Sequence, residues 1–165
     1  MKKIFSIGMT KQAVLSKLDG TKATAQTKQL IQNFWKTDAD GKITNEIELA
    51  MLDSWANGSE KVKMPTRGRE LINKGSNPYD RKEVVFNYTS SSAIEGDRLT
   101  FDTYRVGDKY YDAASWCKKD CTRQDILIDK NRDGYADKRV YFEAKSRGEE
   151  LGGLYDEKIV FEIEL

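Results

Sequence analysis

Ile126-Leu127-Ile128-Asp129-Lys130-Asn131-Arg132-Asp133-Gly134-Tyr135-Ala136-Asp137-Lys138-Arg139-Val140-Tyr141-Phe142 decides how the second half of the chain folds. Two apolar, strand-like runs enclose a polar stretch with Gly134 near its middle, which predicts two strands joined by a loop. Working outward, period-two patterning predicts strands at 83–89, 98–106, 124–128, 138–144 and 157–165. In the last of these, Ile159, Phe161, Ile163 and Leu165 alternate with Val160, Glu162 and Glu164, so one buried and one mostly wet face are expected. Gly107 and Asp108 suit a hairpin turn, and the sheet is expected to be antiparallel.

Before residue 59 the apolar spacing is helical. Thr10 is a plausible N-cap for a segment to Leu18, with Val14, Leu15 and Leu18 on one face. A second helix is expected over 24–36, with Leu30, Ile31, Phe34 and Trp35 at core spacing. A third is expected over 45–56, with Ile47, Met51, Leu52 and Trp55. Residues 59–78 are rich in Gly, Lys, Arg, Asn and Pro and read as a linker or irregular connection. The expected organisation is therefore α+β: a helical region over 1–58, the connection, and an antiparallel β-meander over 79–165.

The polar stretch carries the most specific chemistry. Asp129, Asn131, Asp133 and Asp137 place side-chain oxygens at positions 1, 3, 5 and 9 of one loop, Tyr135 offers a backbone carbonyl at position 7, and Gly134 stands at position 6. That is the donor set a calcium ion requires of a continuous peptide. The spacing resembles the DxDxDG loops of EF-hands, of dockerins and, between strands, of integrin-type β-propeller blades. The resemblance covers nine residues and implies Ca2+ as cofactor, with Asp129, Asn131, Asp133, Tyr135 and Asp137 as ligands. Position 12 is Val140 where an EF-hand has a bidentate glutamate, so the propeller-type variant fits better. With three formal negative charges and no bidentate closure, the expected dissociation constant is on the order of 10⁻⁴ to 10⁻³ M. The competing reading is an ordinary turn in which Lys130, Arg132, Lys138 and Arg139 neutralise the acids without a metal.

A second stretch, Asp38-Ala39-Asp40-Gly41-Lys42-Ile43-Thr44, lies between the second and third helices and resembles an EF-hand over residues 26–56. The resemblance puts Asp38 and Asp40 at positions 3 and 5, Gly41 at 6 and Ile43 at the hydrophobic position 8. Positions 1 and 12 are then Lys36 and Ile47, so the expectation is a degenerate EF-hand-like fold. A shifted second metal site would draw on Asp38, Asp40, Lys42 and Glu48. The segment over residues 7–15, with Gly-Met-Thr at 8–10, resembles the opening of small outer-membrane assembly lipoprotein domains and is read here as a helix cap.

Composition narrows the function. The chain has no histidine, which removes imidazole-activated nucleophiles and histidine-ligated zinc. Lys plus Arg number 28 against 27 acids, a balance that argues against nucleic acid as a partner. No complete signal peptide or membrane span is read from the sequence, so the protein is expected to be extracellular or periplasmic if a leader was removed, and otherwise cytoplasmic. Cys117 and Cys121 are a disulfide candidate in an oxidising compartment and two free thiols otherwise. Tyr104, Tyr110, Tyr111, Trp116, Tyr135 and Tyr141 crowd the neighbourhood of the loop and read either as sheet core or as a sugar-stacking surface. The expected function is a calcium-binding, non-enzymatic binding or structural module, secreted or on a surface, with a protein or glycan partner. Two alternatives stand beside it: a calcium-dependent hydrolase of polysaccharide or cell wall, and an accessory or assembly domain in which calcium is incidental. Paired acids such as Asp97 with Asp102, or Glu149 with Glu150, give no catalytic geometry by themselves.

Overall fold

Thr10, Thr24 and Asn45 each sit in extended backbone with a side-chain oxygen aimed at the first turn of a helix. The computed structural model describes residues 3–38, 40–65, 82–87, 98–106, 109–118, 122–144, 146–147, 154–155 and 158–165, with the backbone alone for 82–87, 98, 100–106, 110, 146–147 and 154–155. Thr10 Oγ1 accepts the Ala13 amide at the start of α1 (Lys11–Ser16) at 3.1 Å. Thr24 and Thr27 form a reciprocal capping box on α2 (Ala25–Thr37), at 3.1 and 2.8 Å. Asn45 Oδ1 accepts the amides of Ile47 and Glu48 on α3 (Glu46–Ala56), both at 2.9 Å. Leu18 begins a short 3₁₀ turn, Leu18–Gly20, in place of the last turn of the expected first helix.

The chain divides into two compact units, Met1–Lys63 and Met64–Leu165. In the first, Val14, Ile31, Phe34, Trp35, Ile47, Met51, Leu52 and Trp55 are buried at the positions their spacing predicts. Each such side chain contributes roughly 1.5–3 kcal/mol on burial. Helix α3 departs from a simple amphipathic stripe, because Glu48, Leu49, Asp53, Ser54 and Ala56 are buried as well. Of the expected connection, Val62–Lys63 is a short strand, β1, whose Lys63 amide donates to Ser54 Oγ of α3 at 2.9 Å. Residues 66–78 lie outside the described residues.

In the second unit six strands form one antiparallel sheet in the order β10-β7-β5-β4-β3-β2. They are β2 (Lys82–Asn87), β3 (Arg98–Val106), β4 (Lys109–Cys117), β5 (Arg123–Asp129), β7 (Lys138–Glu143) and β10 (Lys158–Glu164). The two-residue β6 (Tyr135–Ala136) lies in the β5–β7 connection. An antiparallel pair, β8 (Ser146–Arg147) and β9 (Leu154–Tyr155), lies between β7 and β10. The architecture is mixed α+β with a sequential antiparallel meander. The turn residues Gly107 and Asp108 lie outside the described residues, although β3 and β4 pair on either side of them.

Two expectations need correction. Strand β4 was not expected, because Asp112, Ala113 and Ala114 have low strand propensity; burial between β3 and β5 overrides it. The clean alternation of β10 does not bury one full face. The strand is outermost in the sheet, its register shifts between Ile159 and Phe161, and Ile159 and Leu165 are 52% and 42% exposed.

Asp53, from α3, ties down the chain start: its Oδ1 accepts the amides of Ile4 and Phe5 at 3.0 and 2.9 Å. Burial raises its carboxyl above the ordinary 3.8, although these two amides and the Lys3 charge pull it back. The folded state therefore holds this proton to higher pH than the unfolded chain, and stability falls as pH rises from about 3.8 through the raised value. Asp53→Ala should cost about 2–4 kcal/mol in denaturant unfolding, because it orphans two amides. Asp53→Asn, which keeps an acceptor, should flatten that segment of the stability–pH curve.

Candidate metal centre

Strand β5 alternates, with Asp125, Leu127 and Asp129 buried on one face, and it ends by placing the Asp129 carboxylate in the protein interior. Both oxygens are used by the loop that follows. Oδ1 accepts the Asp133 amide at 3.2 Å and Oδ2 accepts the Gly134 amide at 2.8 Å. Two Asx turns tighten the curl: Asn131 Oδ1 accepts the Asp133 amide (3.3 Å), and Asp133 Oδ1 accepts the Tyr135 amide (2.9 Å). The backbone is left-handed at Arg132 (φ 59°) and at Gly134 (φ 90°). At the neck of the loop the Asp137 amide donates to the Ile128 carbonyl (2.7 Å), and Asp137 Oδ2 accepts the Lys130 amide (2.7 Å). Tyr135 is 39% exposed.

Burial holds the Asp129 carboxyl above its ordinary 3.8. The Gly134 and Asp133 amides draw it down, and the Asp133 carboxylate beside it pushes it up again. The basic residues of this stretch each bond an acid outside it. Lys130 Nζ lies 3.7 Å from Glu164, Arg132 Nε lies 3.2 Å from Asp112 Oδ1, and Lys138 pairs with Glu162. Arg139 and Asp125 form a buried two-point pair at 2.9 and 2.6 Å.

Asp112 is the residue that sequence reasoning missed. The β4–β5 register sets it directly opposite Asp129, and it is 6% exposed. The signal was its alternation with Ala114 and Trp116, but it becomes meaningful only once the pairing is known.

The structure brings Asp129, Asn131 and Asp133 together around the amides of residues 133–135, while Asp137 is turned to the Lys130 amide. Among the described residues no three acidic or cysteine side chains are grouped closely enough to hold a metal ion. In the first loop Asp38 Oδ1 faces the Asp40 amide at 3.4 Å, Gly41 is left-handed (φ 72°), and Lys42 is exposed in a backbone bridge with Thr10. Glu48 is committed elsewhere: its Oε1 accepts the amide and hydroxyl of Thr44, both at 2.7 Å, at the start of α3.

Cys117, at the end of β4, is disulfide-bonded, and the chain has two cysteines; Cys121 lies outside the described residues. Of the aromatics near the loop, Trp116 and Tyr141 are buried, with Tyr141 stacked on Phe161 at 5.1 Å between ring centroids. The side chains of Tyr104 and Tyr110 are not described.

Comparison of the chain with protein-family models, with characterised proteins and with solved structures gave no match. No helix among the described residues is long and apolar enough to cross a membrane.

An added Cβ at Gly134 would meet nothing within 4 Å, so its left-handed backbone is the whole obstacle to a side chain there. Gly134→Ala should therefore cost about 1–2 kcal/mol in equilibrium unfolding, with the folded secondary structure unchanged by circular dichroism.

Proposed function

We propose that the chain is a calcium-binding, non-enzymatic binding or structural module whose ion sits in the 129–137 loop. The observation that carries this reading is a buried Asp129 carboxylate set against that of Asp133 in a loop whose backbone is left-handed at Gly134. A divalent cation would relieve that like-charge contact, and it is the natural counter-ion for a curl of oxygen donors with a glycine at its bend. Asp129, Asn131, Asp133 and the Tyr135 carbonyl would serve as ligands. Asp137 would join them by leaving the Lys130 amide, which makes binding a closure of the loop neck.

The same proposal treats α2, the 38–44 loop and α3 as an EF-hand-like frame that serves structure. Ile43 is fully buried and exchanges backbone hydrogen bonds with residues 8 and 9, at 2.7 and 2.8 Å. Glu48, the acid a shifted site would need, accepts the amide and hydroxyl of Thr44 just before α3. A disulfide at Cys117 and a weak calcium loop both belong with an oxidising, calcium-rich exterior. Tyr135, exposed beside the loop, is the residue that an ordered loop would present to a protein or glycan partner.

Calcium titrated into metal-free protein should bind with a dissociation constant on the order of 10⁻⁴ to 10⁻³ M. At a hundredfold excess over that constant it should add about 2.7 kcal/mol to unfolding stability. Asp133→Ala should remove both effects. Absence of heat in calorimetry together with an unchanged melting temperature would defeat the proposal.

A further inference from the structure

A non-glycine residue in left-handed backbone costs stability unless something holds it there. Arg132 is such a residue, at φ 59°, at the outer bend of the 129–137 loop. Its guanidinium reaches back over the hairpin to Asp112 on β4, Nε to Oδ1 3.2 Å, with the arginine side chain 38% and the aspartate side chain 8% exposed. Asp112 is in turn the register partner of Asp129, whose two oxygens hold the amides of Asp133 and Gly134. Like charges directly opposite on a sheet repel. The arginine thus supplies positive charge beside an acid pair and at the same time fixes its own strained backbone.

The geometry points to Asp112 and Arg132 as a positioning pair that keeps the loop curled before any ion arrives. This inference rests on the calcium reading for its consequence, but the curl itself is a property of the metal-free chain. Apparent affinity falls in proportion to the fraction of molecules whose loop is already shaped. Glycine reaches the left-handed region without the penalty, so Arg132→Gly removes the need for the tether. Asp112 then matters in the native background and ceases to matter in the glycine background. Any other contact that Asp112 makes is common to both backgrounds and cancels from the comparison.

The experiment is a double-mutant cycle of Asp112→Ala and Arg132→Gly, read by calcium titration and, without metal, by hydrogen exchange of the Gly134 amide. Asp112→Ala should weaken calcium binding about tenfold with Arg132 present and less than about twofold with Arg132→Gly. Exchange at Gly134 should quicken in the first case and not in the second. Equal effects in the two backgrounds would overturn the inference, as would tighter calcium binding on Arg132→Gly alone, which would mean that the guanidinium competes with the ion. If the native chain takes up no calcium, the calcium reading fails, while the exchange measurements still decide whether the pair shapes the loop.

Discussion

Placing an ionisable carboxylate where no water reaches it is the constraint to which the β5–β7 connection answers. Asp129 ends a strand whose alternation points it inward, and such a group must find donors or remain protonated. The loop supplies the donors from its own backbone, which forces the chain to double back so that the amides of residues 133 and 134 face residue 129. That curvature requires left-handed backbone at Arg132 and Gly134 and is braced by the Asn131 and Asp133 side chains. The acid spacing and the glycine are thus one solution to a single hydrogen-bonding problem.

The neighbouring charges obey the same economy of pairing. Arg139, read from sequence as a screen for the loop acids, is a core residue 1% exposed. Its guanidinium bonds Asp125 twice and lies over the Phe161 ring at 4.8 Å. Phe161 stacks on Tyr141, whose hydroxyl accepts from Arg123. An arginine buried in this way is tolerated because Asp125 meets it at two points and its flat face meets an aromatic ring. Arg139 thus serves the cohesion of the sheet, while Lys130, Arg132 and Lys138 reach acids on β10 and β4.

Much of the helical unit was legible in the chain because its signals are local. Thr10, Thr24 and Asn45 act within one turn, and the stripes of Ile31, Phe34 and Trp35 and of Ile47, Met51 and Trp55 need only helical periodicity. Glu48 shows the limit. Its place in the pattern suggested a metal ligand, but Thr44, four residues before it, donates its amide and hydroxyl to the carboxylate. In the sheet, β5, β7 and β10 announced themselves by alternation. Strand β4 did not, since alanines at Ala113 and Ala114 are chosen for close packing between neighbours and carry little strand signal of their own.

By itself the sequence determined the three helices, most of the strands, the order of helices before sheet, and the spacing of the polar side chains at Asp129, Asn131, Asp133 and Asp137, because these depend on one chain's local pattern. Only the tertiary structure decided that Asp112 stands across from Asp129, that Arg132 is drawn to Asp112, and that Asp137 turns to the Lys130 amide. Strand register and side-chain partnership are relations between segments distant in sequence. They are fixed by which faces are buried together, a quantity that no local window of residues contains.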